Sequence, residues 1–142
     1  MVSLGIVRDA DLNSVSAFQS VCDALQAAGL TAPIRPLLTA GQNPRVTIMI
    51  LPTEDIMGML EDVCLKSVTE DPAVPCIEQY FQCLQDHTVP LPKNMSKAKV
   101  QAFLASREEA GKRLGEAAHA GYWPFGNNAF GPMKDFLQQI SS

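Results

Sequence analysis

Two carboxylates, Asp9 and Asp11 in the string GIVRDADLN, are the side chains of this 142-residue chain best suited by type and spacing to do chemistry. They follow Val2 to Val7, a short apolar run that ends abruptly in charge, the pattern of a strand buried on both faces of a parallel sheet. Alternate residues of an extended segment share a face. D-A-D at a strand end therefore aims both carboxylates the same way, into the crevice where parallel sheets hold ligands. Carboxylates so close repel. A hard divalent cation relieves that repulsion: Mg²⁺, or Mn²⁺ in its place, prefers oxygen ligands, commonly takes one or two carboxylates and fills its shell with water or phosphate. Such an ion polarises a phosphodiester and activates water. A plainer use competes with this one, because Asp turns the chain after strands and caps the next helix, and Asp11 fits that role too.

The elements that must position the pair follow from the apolar spacing. Leu12 to Ala28 reads as a helix with Val15, Phe18, Cys22 and Leu25 inward, Asn13 or Ser14 as cap and Gly29 as stop. Prolines and glycine between Thr31 and Pro44 predict a loop-rich connection with room for a short edge strand near Ile34. VTIMIL, residues Val46 to Leu51, is the clearest strand and is closed by Pro52. Strand, helix and strand in that order imply a right-handed crossover and a parallel pair. The expected class is α/β, a mostly parallel, Rossmann-like sheet flanked by helices, with a helical C-terminal half and one domain over residues 1–142. Helical spacing resumes with Ile56, Met59, Leu60, Val63 and Cys64. It continues with Ile77, Tyr80, Phe81 and Leu84 after a break at Asp71 to Pro75, and with Val100, Phe103 and Leu104 in a helix capped by Ser96. Leu114 to Ala120 and Met133 to Ile140 are two further helices. Between them GYWPFGNNAFGP is a turn-rich segment in which Tyr122, Trp123, Phe125 and Phe130 read as core plugs, with a base-stacking platform as the alternative.

Composition narrows the function classes. A chain 46% hydrophobic and 18% charged is globular, and a net charge of -4 with a pI near 5.0 disfavours broad adhesion to nucleic acid or anionic membrane. It leaves metal-mediated contact with nucleic acid open. No apolar run approaches the roughly 18 residues that span a bilayer, and the N-terminus lacks the look of a secretion signal, so a cytoplasmic location without membrane contact is expected. Cys22, Cys64, Cys76 and Cys83 show no CxxC or Cys/His pattern and read as buried thiols rather than zinc ligands. His87 and His119 fall at helix ends with no nucleophile pattern beside them, so no triad is expected.

GIVRDADLN, the helix with AFQSVCDALQAAGL, and VTIMILPTEDIMGMLEDVCL together resemble the TOPRIM-like domains of an uncharacterised prokaryotic family. PCIEQYFQC, SKAKVQAFLAS and LGEAAHAGYWPF extend the resemblance over nearly the whole chain. That family is related to the TOPRIM domains of OLD-type nucleases, DNA primases and topoisomerases. The resemblance implies a Mg²⁺-dependent site in which Asp9 and Asp11 bind the metal, acting on nucleic acid or nucleotide phosphate. In GMLED it implies Glu61, with Asp62 beside it, as a further carboxylate near the same sheet edge, and in SKAK it implies Lys97 or Lys99 facing a phosphate. An amphipathic helix with a solvated flank explains Glu61 and Asp62 equally well, and solvated surface charge explains the lysines. One departure stands out. The family pattern has an earlier strand ending in a glutamate, in a string resembling E-G-x-x-D, whereas none of the eight residues before Asp9 is acidic. The sequence thus starts at the position of that family's second strand, as an N-terminally truncated domain would. A sheet lacking that strand presents an edge that invites a second subunit, which makes a catalytically silent, homo-oligomeric assembly module the rival expectation.

Overall fold

A computed structural model describes residues 1–142. It contains a parallel pair of strands, β1 (Ser3–Asp9) and β2 (Arg45–Leu51), with six α-helices: α1 (Ser14–Ala27), α2 (Leu60–Ser67), α3 (Ala73–Asp86), α4 (Met95–Ala105), α5 (Leu114–His119) and α6 (Gly131–Ser141). The class is α/β. Two compact units divide the chain, one of residues 1–63 with 129–142 and the other of residues 64–128.

The first unit is built around the strands. Their register runs from Ser3 opposite Arg45 to Asp9 opposite Leu51, and the outer edge of β2 is covered by the segment before it. There Leu37 N–H donates to the Ile48 carbonyl, and Ala40 exchanges hydrogen bonds with Val46 at 2.9 and 2.7 Å. This contact falls well after Ile34, which is exposed and in no strand; Leu37, in left-handed backbone at φ 63°, turns the chain onto β2 only beyond Pro36. One face of the sheet packs on α1 through Ala17, Val21, Cys22 and Leu25, with Leu4, Ile6, Val46, Ile48 and Ile50 beneath them. Phe18, Cys22 and Leu25 face inward as expected, joined by Ala17 and Val21 on the same stripe, while Val15 in the first turn is exposed; Asn13 caps the helix by accepting Ser16 N–H at 3.0 Å. The helix stops as expected, with Gly29 at φ 74° and Leu30 N–H on the Leu25 carbonyl at 2.9 Å.

The other face carries α6. A Cβ on Gly5 would stand 2.8 Å from Ile140 Cδ1 and 2.9 Å from Phe136 Cζ, so the missing side chain is what lets this helix lie on β1. Thr47, fully buried in β2, is paired with Thr39 at 2.7 Å, which in turn accepts from Gln139 of α6 at 2.7 Å. At the amino end of the strands Arg45 donates to Ser3 Oγ and to the Ser142 carbonyl.

The second unit is helical. Asn94, not Ser96, caps α4 by accepting Lys97 N–H at 3.0 Å, and α3 starts at Ala73, so Pro75 falls in its first turn, where its missing N–H costs nothing. Ile77 and Phe81 of α3 and Val100, Phe103 and Leu104 of α4 are buried, while Tyr80 is exposed. Phe103 stacks on Trp123 at 5.2 Å, and Trp123 donates to the Leu114 carbonyl at 3.3 Å, so the tryptophan is a buried plug of this unit while Phe125 is exposed; Phe130, buried too, belongs to the first unit. Two cysteines, Cys22 and Cys64, are buried; Cys76 and Cys83, expected inside, lie on the exposed side of α3 because Ile77 and Phe81 take its inward stripe.

Arg107 caps the Phe103 ring at 4.3 Å and makes a two-pronged pair with Asp71, both contacts at 3.0 Å. Asp71 also accepts Ala73 N–H at 2.9 Å, which ties the start of α3 to this stack. The Arg107 hydrogen bonds, then that backbone N–H, hold the Asp71 carboxyl below its usual range. A carboxyl lowered in the folded chain adds stability above its unfolded pKa of about 3.9, and loses it as pH falls through the folded value. Acid unfolding of wild type and Asp71→Asn followed by circular dichroism should therefore show wild type more stable by about 1–2 kcal/mol near neutrality, the gap closing below about pH 4. A gap that persists in acid would assign the pair no pH-linked role.

Candidate functional site

At the carboxyl end of the strands the hydrogen-bond ladder runs one residue past β1, with Ala10 N–H donating to the Leu51 carbonyl at 2.8 Å. Ala10 is buried, Asp9 half-buried and Asp11 exposed. Asp11 then leaves the extended conformation. Its φ is 52°, in the left-handed region that Asp tolerates better than most residues. The period-two rule that put Asp9 and Asp11 on one face thus ends at Ala10, and what positions Asp11 is a pair of long-range backbone bonds. Asp11 N–H donates to the Gly58 carbonyl at 2.7 Å and Gly58 N–H returns to the Asp11 carbonyl at 2.9 Å.

This bridge draws in the loop between β2 and α2. Gly58 has φ 130°, and a Cβ there would lie 2.7 Å from Asp62 Oδ2 and 2.8 Å from Pro52 Cδ. Ser14 N–H bonds the Ile56 carbonyl as a third tie between the two loops. Asp9 supplies the fourth. Its Oδ1 accepts Leu60 N–H, the first of α2, at 2.8 Å, and Asp62 Oδ2 reaches back to Met59 N–H at 2.8 Å as the acid of a capping box does. Both carboxylates therefore sit at the positive end of a helix, a favourable place for negative charge. The helix begins at Leu60 rather than near Ile56, because Gly58 and these ties hold the preceding residues in a non-helical loop; Ile56 and Met57 are left exposed.

Asp9, Asp11 and the acidic start of α2 with Glu61 and Asp62 are thus linked through one hydrogen-bonded pair of loops. Lys97 is in the other compact unit, in the first turn of α4, and Lys99 there pairs with Glu78 at 2.9 Å. No three His, Cys, Asp or Glu side chains stand together as a metal-holding group. An oxygen-only donor set of one or two carboxylates with water suits Mg²⁺, which keeps several waters and makes few protein bonds. Asp9 and Asp11 are oxygen donors of that kind, Asp9 engaged through Oδ1 by Leu60 N–H and Asp11 tied to Gly58 through its backbone.

The second unit holds a feature that sequence spacing did not single out, a groove of about 690 Å³ lined by Ile77, Tyr80 and Phe81 of α3 and Ala98, Ala102 and Ala105 of α4. The alanines recur at helical spacing, which leaves one face of α4 too small to fill the space beside α3. That spacing was the available signal.

Comparison with family models places the chain over residues 1–142, and it belongs to the family described as "Protein of unknown function (DUF3226)". Neither the curated proteins nor the solved structures include a match to it. No helix is long and apolar enough to cross a membrane.

Replacing Gly58 by Ala should strain the loop twice, by its φ and by the clash with Asp62 and Pro52, and lower stability by about 1–3 kcal/mol. At exposed Gly115 in α5, Gly115→Ala meets nothing within 4 Å and should be neutral or stabilising by about 0.5–1 kcal/mol. Equal effects of the two in urea denaturation would show that Gly58 is not a constrained position.

Proposed function

We propose that the carboxyl end of the β1–β2 pair binds a divalent cation, Mg²⁺ or Mn²⁺, through Asp9 and Asp11, and that the chain is a TOPRIM-like domain of the phosphodiester-cleaving or phosphoryl-transfer type. The observation that carries this reading is the way both aspartates are fixed. Asp9 is oriented by the Leu60 amide, and Asp11 is held in left-handed backbone by the exchange with Gly58, at the strand ends where parallel sheets bind ligands. Backbone held in a sparsely populated region by its surroundings is a feature of functional sites. When bound, the cation would polarise a phosphate and lower the pKa of a coordinated water. The chain's own part is to hold two carboxylates in place, to keep Glu61 at the start of α2 as a further acid, and to order the loop around them. Lys97 enters as a phosphate-facing residue on resemblance alone.

A second reading rests on a different observation. β2 is flanked on both sides, by β1 and by the segment around Ala40, whereas β1 has β2 as its sole strand partner and ends in exposed Val7 and Arg8. An edge of this kind pairs readily with another strand, which would make the domain an assembly module.

Titration calorimetry separates the two. Asp9→Asn with Asp11→Asn keeps an oxygen for the Leu60 amide while removing both charges, so its fold should survive. Mg²⁺ and Mn²⁺ should bind wild type and lose at least about tenfold in affinity with the double variant. No binding by wild type would sink the cation reading; a dimer in sedimentation that Val7→Lys dissolves would then favour the second.

A further inference from the structure

Charge is unevenly shared between the two compact units. The unit of residues 64–128 carries seven Lys or Arg against seven Asp or Glu, net zero, so the other unit, with four against eight, holds the whole net charge of -4. Six of those eight acids, Asp9, Asp11, Glu54, Asp55, Glu61 and Asp62, fall at the end of β1 and on the stretch from the loop after β2 to the first turn of α2, where Arg8 of β1 and Lys66 of α2 are the basic residues in the adjoining sequence.

Among these acids stand four large apolar side chains that the fold leaves outside. Leu12 is 84% exposed, Val15 68%, Ile56 62% and Met57 54%. They are neighbours, because the Asp11–Gly58 exchange sets Leu12 beside Met57 and the Ser14–Ile56 bond sets the start of α1 beside Ile56. Scattered exposed apolar residues need no explanation, but four carried on two segments that backbone hydrogen bonds hold side by side form a preorganised contact surface. Solvation gives no reason for Leu, Val, Ile and Met at these places, since each costs free energy in water.

We infer that this apolar platform with its acidic surround docks a basic amphipathic segment of another protein, one that seats aliphatic side chains on Leu12, Val15, Ile56 and Met57 and sets Lys or Arg against Asp11 and Asp55. Charge decides the occupant. A second copy of the chain meeting itself here would set acid against acid, and nucleic acid or an anionic bilayer would meet the same repulsion. An amphipathic helix that is basic on its polar side satisfies both halves of the surface. The inference does not depend on the cation reading: an ion at Asp9 and Asp11 would leave the acids of the 52–62 segment in place.

The probe is a synthetic amphipathic helix of Leu and Lys, titrated into the full chain in chelator-containing buffer and followed by amide chemical shifts and by fluorescence anisotropy of the labelled peptide. The shifts should centre on Leu12, Val15, Ile56 and Met57. Affinity should fall about tenfold in Ile56→Ser with Met57→Ser and in Leu12→Ser with Val15→Ser, and should fall again with added salt. Because all four side chains are exposed, these variants should keep the wild-type circular dichroism. The same peptide with Glu for Lys should not bind. Equal binding of the Glu peptide, unchanged affinity in both variants, or shifts that map to the α3–α4 groove would overturn the proposal. So would a wild-type dimer that Ile56→Ser with Met57→Ser dissolves, since the platform would then be covered by a second copy.

Discussion

The hydrogen bond from Leu60 N–H to Asp9 Oδ1 joins residues 51 positions apart and sets the geometry of everything at the strand ends. A strand must stop where its ladder stops, and a helix must start where its first N–H groups find acceptors. Here one carboxylate serves both requirements, standing at the last paired position of β1 and accepting the first amide of α2. Asp62 closes the neighbouring amide, and the Asp11–Gly58 exchange holds the loop between. Because the loop is tied down at those points, Ile56 cannot enter the helix whose spacing it matches, and it is left on the surface with Met57, beside Leu12 and the start of α1.

Those features that depend on local spacing were legible in the sequence. Both strands, the stop of α1 at Gly29, the inward faces of α4 and the short helices near the C-terminus all follow from periodicity, capping residues and glycine. Where contacts over long separations decide, spacing misleads. Ile56 sits in step with Met59, Leu60 and Val63, yet the acceptor of the Leu60 amide, where α2 starts, is Asp9 of β1. Val15 matches the apolar stripe of α1, yet it lies in the first turn and stays exposed while Phe18, Cys22 and Leu25 turn inward with Ala17 and Val21. Cys76 and Cys83 share one helical face, but which face is buried depends on Ile77 and Phe81 meeting α4. Of the site itself, D-A-D was visible as a motif, and its shared-face argument assumed extended backbone that Asp11 does not have. The Asp11–Gly58 bridge needs the fold, although a glycine ahead of an acidic helix start was a readable hint of a turn.

The two units divide the physical tasks. The helical unit is electrically balanced and secured by the Asp71–Arg107–Phe103–Trp123 stack. The strand-containing unit holds the net negative charge, concentrated where carboxylates, an apolar platform and two cross-linked loops coincide. Membership of the DUF3226 family covers this whole arrangement. The cation reading and the peptide-docking inference draw on different atoms of it: the first on the oxygens of Asp9 and Asp11, the second on the aliphatic groups and acids of the loop beside them.

The most direct test of the coupling is amide hydrogen exchange in wild type and Asp9→Ala. With the acceptor removed, protection at Leu60, Gly58 and Asp11 should collapse towards that of open loops, while the amides of β2 between Val46 and Ile50 remain protected. Undiminished protection at Leu60 and Gly58 in Asp9→Ala would contradict the account, because the loop would then be ordered without the strand-end carboxylate.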